Sequence, residues 1–333
     1  MTILFFARRF YPDVGGVEKH VLEIGKRLVK DGHNVIVVTE SQGKEKEIKG
    51  IRIFRIKTPE NWFKKFYIWK WLWKNRSLIE KSDVVHAHDV YYWYFPFRFL
   101  FPLKRSFVTF HGYESYPISK RAIIVRKISE KLAFGNIIVG YFIKKWYHTT
   151  PVYAIYGGVD VSSIKHQVTS IKKESAIFIG RLDEQTGILD YAKAVDLIKK
   201  IYPDFKFQIY GDGKFKKRVE QFKPVGFVKD AEKKISNYNF AFASRYLSIL
   251  EALANKRLVF ALYDNPVKRD YLKMAPFAKF IIIEKTPENL AKKVLFYIKH
   301  PEQERMLTEK GFIWVKSQSW EKIVRIYLRL WGF

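Results

Sequence analysis

Two glycine-rich turns, one in each half of the chain, constrain its fold more than any other feature. The first, FARRFYPDVGGVEKH, follows the apolar run TILFF and ends at His20. The second, FIGRLDEQTG at residues 178–187, follows SAIFI. Both sit where a strand should hand over to a helix. Backbone N–H groups at a helix N-terminus there can face an anion. Arg181 in the second turn can add a charge-assisted contact. A glycine at such a junction can equally serve geometry alone. Two such halves facing each other suggest a cleft that holds a diphosphate.

The segments between the turns set the fold class. TILFFA, NVIVVT, IRIFRI, DVVHAH, SFVTF, NIIVG and PVYAIY read as strands of the first half. GVEKHVLEIGKRLVKDG reads as an amphipathic helix, with Val17, Val21, Ile24 and Leu28 on one stripe and Gly32 closing it. Residues 62–80 and 118–133 read as further helices. Nearly all-apolar strands alternating with helices predict an α/β fold with a doubly wound parallel sheet. The pattern restarts after the polar stretch 161–175, with AIFIG, FKFQIYG, NFAFAS, RLVFAL and KFIII as strands. The expected organisation is a first Rossmann-like domain at 1–162, a second at 163–315, and a helical tail at 316–333. Such pairs bind ligands in the cleft at their carboxyl strand edges.

Composition narrows the chemistry. The 333 residues contain no Cys, which excludes a disulfide scaffold, a thiol nucleophile and a thiolate metal site. MTILFFARRF enters a core strand directly, and no apolar run reaches membrane-spanning length, so a cytoplasmic protein is expected. The formal charge of +28 favours polyanions. NWFKKFYIWKWLWKNR at 61–76 has seven aromatics, five basic residues and no acid. As a helix it would line up Trp62, Phe66, Trp69 and Trp73, with Lys64, Lys65, Lys70, Lys74 and Arg76 around them. That suits a helix lying on an anionic membrane surface, with YYWYFPFRFLFPLKR at 91–105 as a second element. Core aromatics with a solvated lysine face are the plainer alternative. Base stacking is a third, but no nucleic-acid motif is present.

The chemistry-bearing segments come in a recognisable order: GGVEKH, VVHAHD, FHGYE at 110–114, GGVD at 157–160, FIGRLDEQTG, IYGDGKF at 209–215, VGFVKD at 225–230 and SRYLSILEALANKRLVFA at 244–261. This set resembles the retaining glycosyltransferases of the two-domain GT-B fold often called family 4, over almost the whole chain. The resemblance implies that Gly15, Gly16 and Arg181 approach the diphosphate of a nucleotide-sugar donor. It also implies that His111 lies near the transferred sugar, that Glu251 binds the donor ribose, and that the last helix, about Ser319–Phe333, crosses back to the first domain. His111, Arg181 and Glu251 are the implied catalytic residues.

Two departures stand out. Where the family usually has a lysine before the glycine ending the GRL turn, this chain has Thr186. The earlier of the family's paired glutamates falls at Ala243, followed by Ser244-Arg245-Tyr246. Arg245 could supply positive charge to the diphosphate instead.

The implied reaction transfers a sugar to a hydroxyl with retention, on a lipid-linked acceptor or a growing saccharide, at the inner face of the membrane. Protein cations meet the charge that builds on the leaving diphosphate, so neither a cofactor nor an essential metal is expected. Asp212 in GDGKF reads as a helix cap rather than a metal-binding pair. His86 and His88 share a strand face and with His111 could imitate a metal site, but carboxylates are not spaced to complete it. His86 is expected to be structural, His88 and Asp89 to line the cleft, and Asp160 to hold the interdomain loop. The alternatives are another GT-B-like enzyme, such as a sugar-nucleotide epimerase, or a catalytically silent relative that serves as a binding subunit.

Overall fold

The computed structural model describes residues 1–161 and 172–333. In chain order its elements are β1 (Thr2–Ala7), α1 (Gly16–Lys30), β2 (Asn34–Thr39), β3 (Glu47–Ile48), β4 (Ile51–Arg55), α2 (Lys64–Lys74), α3 (Ser77–Glu80), β5 (Val84–His88), α4 (Phe95–Leu100), β6 (Arg105–Phe110), α5 (Lys120–Leu132), β7 (Gly135–Val139), α6 (Phe142–Tyr147) and β8 (Tyr153–Ile155). There follow β9 (Lys172–Ile179), α7 (Ile188–Lys199), β10 (Lys206–Tyr210), β11 (Tyr238–Phe242), α8 (Tyr246–Ala254), β12 (Leu258–Leu262), α9 (Pro266–Lys273), β13 (Ile282–Glu284), α10 (Pro287–Lys299), α11 (Pro301–Val315) and α12 (Trp320–Trp331).

The backbone divides into two compact units. The first is Met1–Ile155 together with Trp320–Phe333, and the second is Tyr156–Ser319. The boundary expected at 162/163 lies outside the described residues. The GGVD segment at 157–160 falls in the second unit, where a Cβ on Gly157 would stand 2.6 Å from Leu247 of α8.

The first unit holds an eight-stranded sheet ordered β3-β4-β2-β1-β5-β6-β7-β8. Its strands are parallel apart from the β3–β4 pair. The central strands are apolar along their length because helices cover both faces, and β1, β2 and β5 are buried almost throughout. The direction of winding reverses between β2 and β5 on either side of β1, so residues after β1 and β5 sit at the switch point. α12 packs against α1 in this unit, with Trp320, Tyr327 and Trp331 buried. The second unit has the parallel order β10-β9-β11-β12-β13, with its switch point at the ends of β9 and β11. Aromatic and aliphatic residues of α7, β9–β12 and α10 form its core, including Phe178, Tyr191, Phe207, Phe242, Phe260 and Leu290.

The expected helix over 62–80 is two helices. Asn75 leaves the helical region at φ −110° and ψ 27°, and its backbone N–H and side-chain amide both bond to Trp71 O. This local alternative to the helical ladder ends α2. Trp62 precedes the helix. α2 turns Ile68 and Leu72 inward, while Trp62, Phe63, Phe66, Tyr67 and Trp73 are exposed. The stretch 91–105 divides: Tyr91, Trp93, Tyr94 and Phe97 are core, and Phe99, Leu100 and Leu103 are exposed.

α5 is turned the other way from an ordinary surface helix. It buries Arg126 and Ser129 and exposes Ile124 and Ile128. Arg126 explains the orientation. Its Nη2 donates to Gly112 O at 2.6 Å and to Glu114 Oε1 at 2.9 Å, and its guanidinium lies 3.8 Å from the Tyr147 ring centroid. Holding that charge inside rolls the isoleucines outward. Among the described residues no helix is long and apolar enough to cross a membrane.

Candidate functional site

The switch point of the first unit is built from histidines. β5 ends in His86-Ala-His88, β6 runs into His111, and α1 contributes His20 from its second turn. His88 Nδ1 and His111 Nε2 are 2.9 Å apart. A chain of hydrogen bonds reaches the site from α12. Trp331 Nε1 donates to His86 Nδ1 at 3.0 Å, and His86 Nε2 meets Thr109 Oγ1 at 2.8 Å. Thr109 Oγ1 meets the Tyr327 hydroxyl at 2.8 Å, and that hydroxyl meets His20 Nε2 at 2.9 Å.

Chemistry fixes the direction of this chain. An indole N–H can only donate, so His86 Nδ1 accepts and His86 Nε2 carries the proton. That N–H donates to Thr109, whose own proton passes to Tyr327, whose proton points at His20 Nε2. His20 is thereby held with its proton on Nδ1. The expectation that His86 is structural fits these bonds.

Burial keeps the rings neutral. His20, His86 and His88 are held well below the usual imidazole range, first by desolvation and then by one another and by His111. Burial, then His86 and Arg126, push His111 down to about 3. Ring nitrogens of His20, His88 and His111 lie within 4.8 Å of one another. The three-histidine grouping therefore includes His20 in place of His86. Three neutral imidazoles at that spacing could offer a metal three ligands; His20 Nε2 is engaged by Tyr327, and His88 Nδ1 and His111 Nε2 by each other, while His88 Nε2 is buried without a hydrogen-bond partner.

Asp89 follows β5 with φ +62°, a conformation uncommon outside glycine. Its Oδ1 accepts the His111 backbone N–H at 2.9 Å, so this turn sets where the imidazole stands. Asp89 is exposed to solvent, yet protein atoms surround its carboxyl. Desolvation there raises its carboxyl to about 6, against the opposing pull of Arg126 and the His111 bond.

Gly15 is the N-cap of α1 with extended backbone, and Gly16 has no heavy atom within 4 Å of where its Cβ would be. A Cβ on Gly15 would stand 2.3 Å from Glu18 Oε2. The helix N-terminus expected to face a phosphate thus has an acid of its own first turn lying over Gly15.

The second unit gathers cations. Arg181 is in the turn after β9, half exposed, with its Nε 3.2 Å from Asp183 Oδ2. Arg245 is the N-cap of α8. Both guanidiniums reach the same atom, Gln185 Oε1: Arg181 Nη2 at 3.3 Å and Arg245 Nη2 in a short contact. Thr186 is buried, its hydroxyl turned back to Arg181 O and Asp183 O. Ser244 Oγ donates to Thr186 O, which ties the β9 turn to the β11 turn. Ala243 is buried, and its N–H bonds Phe260 O. The first N–H of α8 is satisfied by Tyr271, whose ring stacks on Tyr246 at 4.0 Å. Glu251 lies in the second turn of α8, partly exposed.

GDGKF has a structural explanation. A Cβ on Gly211 would fall 1.8 Å from Gly180 O, and one on Gly213 would fall 2.7 Å from Leu182 O. The two turns touch backbone to backbone there. Asp212 does not cap a helix. Its Oδ1 accepts from Gly213 N and its Oδ2 from Lys216 Nζ. The next helical turns start at Lys216 with Phe215 as N-cap.

Residues 14–163 match the family model described as Glycosyltransferase Family 4. A stretch of 49 residues is 39% identical to a component of human phosphatidylinositol N-acetylglucosaminyltransferase, covering 14% of this chain and 10% of that protein. An uncharacterized glycosyltransferase of Methanocaldococcus jannaschii is 24% identical over 345 residues, 95% of this chain and 93% of the relative. Among solved structures, a variant of S. aureus TarM in complex with Fondaparinux, alpha-GlcNAc-glycerol and UDP superposes with a TM-score of 0.79 at 12% identity, covering all of both chains.

Proposed function

From a chain whose residues 14–163 match Glycosyltransferase Family 4 and whose fold is GT-B, we infer a transferase that moves a sugar from a nucleotide-sugar donor to a hydroxyl acceptor. The observation that carries this reading is the convergence of Arg181 and Arg245 on one oxygen at the N-terminus of α8. Two guanidiniums held on a neutral amide oxygen form a place for an anion, which would meet them with charge. The donor diphosphate lies there, and Glu251 in the second turn of α8 takes the ribose hydroxyls. His111 stands near the transferred sugar. Its imidazole is neutral, so it can accept or share a proton without adding charge to an oxocarbenium-like centre. Gly15 and Gly16 supply backbone to the donor once Glu18 moves. Negative charge growing on the leaving diphosphate is met by fixed cations, with retention at the anomeric carbon and no essential metal.

The acceptor side of the reading rests on the first unit's exposed aromatics. Trp62, Phe63, Phe66, Tyr67 and Trp73 are exposed beside Lys70, Lys74 and Arg76, and α5 turns Ile124 and Ile128 outward beside Lys120, Arg121 and Lys127. This is the chemistry of a peripheral face for anionic lipid, and it favours a lipid-linked acceptor at the inner face of the membrane over a free saccharide. The relative named for a phosphatidylinositol-directed transferase points the same way. Nucleic acid is not the expected partner.

The buried Ala243 and Thr186 favour one second reading, a silent relative that binds nucleotide without turnover. A panel of nucleotide sugars, assayed with and without anionic lipid extract, separates the two. R181A should lower kcat/KM about a hundredfold with the preferred donor. Full activity in R181A removes Arg181 from this role. Nucleotide binding with no turnover on any donor selects the silent relative. Vesicle co-sedimentation tests the surface: serine at Trp62, Phe63, Phe66 and Trp73 should release the protein from anionic vesicles, and unchanged binding would reject the membrane face.

A further inference from the structure

This inference rests on the donor reading above and identifies a third cation at that site. The family's lysine position is Thr186, 4% exposed, with its hydroxyl spent on closing its own turn. The charge has not left the site. Lys268 sits in the first turn of α9, 2% exposed, with Asn265 capping the helix through its N–H at 2.9 Å. Its Nζ donates to Gln185 O at 2.8 Å, one residue from position 186, and lies 5.3 Å from the Tyr271 ring centroid. Arg245 reaches the same ring, at 5.9 Å. Gln185 is thus held from three sides: Arg181 and Arg245 on its side-chain oxygen, and Lys268 on its carbonyl.

We propose that Lys268 replaces the cation missing at residue 186, and that a nucleoside diphosphate displaces the Gln185 side chain to be gripped by Arg181, Arg245 and Lys268 together. A buried ammonium whose hydrogen-bond partner is a neutral carbonyl, with a guanidinium nearby, is costly unless an anion joins it. An incoming diphosphate supplies that anion, and until it arrives the three cations share Gln185 as a neutral partner. The same swap of one cation-bearing element for another accounts for Thr186 being small and inward-facing, since the ammonium already occupies the neighbourhood.

A proton should travel with the ligand. Burial, and then Arg245, hold the Lys268 ammonium well below the usual lysine range, while Asp264 before α9 and Asp183 in the β9 turn pull it back up. Tyr271 on the same helix and Gln185 complete its surroundings. Added diphosphate charge raises it, so binding takes up a proton at any pH where the unliganded Lys268 amine is neutral.

The test is calorimetric titration of the full chain with UDP, GDP and ADP, with UMP and pyrophosphate as controls, in pairs of buffers of different ionisation enthalpy at several pH values from about 6 to about 9. The wild type should bind at least one nucleoside diphosphate with proton uptake. K268M should weaken that ligand about tenfold or more, UMP by much less, and abolish the proton uptake. K268R, charged throughout this range, should bind without the buffer dependence, and it decides the matter should K268M fail to fold. Pyrophosphate binding equal to that of the nucleoside diphosphate marks the site as a general anion site and overturns its assignment to the donor. If K268M and K268R both bind as the wild type does, with the same proton uptake, the proposal is overturned while the donor reading stands. If the wild type binds no nucleoside diphosphate, the donor reading fails and this proposal with it.

Discussion

Acidification should unfold the first unit, because its interior holds imidazoles that fold neutral. A histidine with its folded pKa below its unfolded one leaves the unfolded chain to take the proton first. Its contribution to stability is complete above about 6.5, the unfolded value, and is lost as pH falls toward the folded value. For His111, lowered to about 3, going from about pH 7.5 to about pH 5 costs about 2 kcal/mol. His20, His86 and His88 are shifted in the same direction by burial, so they add to the loss. Asp89 acts in the opposite sense, its raised carboxyl favouring the folded form as pH falls through about 6. Its exposure to solvent shrinks that compensation. Since a domain's whole stability is about 5–15 kcal/mol, the net loss should be visible well above pH 4. The assay is denaturant unfolding followed by tryptophan fluorescence. Every tryptophan of the nine except Trp314 lies in the first unit, and Trp320 and Trp331 pack beside the histidines. Between about pH 6 and 5 the stability should fall by more than about 1.4 kcal/mol per pH unit, the slope of a single proton. A flat profile across that interval would show that the rings are already charged in the folded state or open to water, and the reasoning would be wrong.

Three further outcomes are expected. G211A should destabilise the second unit by about 3 kcal/mol or more, since the added methyl meets Gly180 O at 1.8 Å; an unchanged melting temperature would contradict the close backbone approach. Y327F should free His20 from its single tautomer, seen as a change in its ring nitrogen-15 shifts with the His88 shifts kept; identical His20 shifts would break the directional chain from Trp331. Chelators should leave transfer intact, and loss of activity restored by one specific divalent ion would assign His20, His88 and His111 to a metal.

What the sequence revealed and what it hid follow from the range of the forces. The alternation of TILFFA, NVIVVT and DVVHAH with α1 predicts a buried parallel sheet, because each strand's apolar run is a local property. Arg181 and Arg245 were visible through the turn and the segment that carry them. Lys268 was not: its importance depends on α9 bringing it to Gln185, 83 residues away in sequence. Tyr327 and Trp331 showed only as apolar positions on an amphipathic tail, and the hydroxyl and indole N–H that bind Thr109 and His86 gave no local sign. The orientation of α5 was hidden for a similar reason. Periodicity says which residues share a face, but Arg126 finds Gly112 and Glu114 only in the folded chain, and so decides which face goes inside.

The composition of the first unit bears on the order in which the chain can be completed. Its sheet is made by residue 155, yet the wall over the histidines is residues 320–331, and the whole second unit is synthesised between them. A nascent chain emerging from the ribosome can fold the second unit while the first still shows the His20–His86 face to water. During that interval the early part of the chain is the unfinished one, the reverse of the usual N-terminal-first sequence. A translational stall or a proteolytic cut after residue 319 would damage the domain at the far end of the sequence and leave the adjacent one intact.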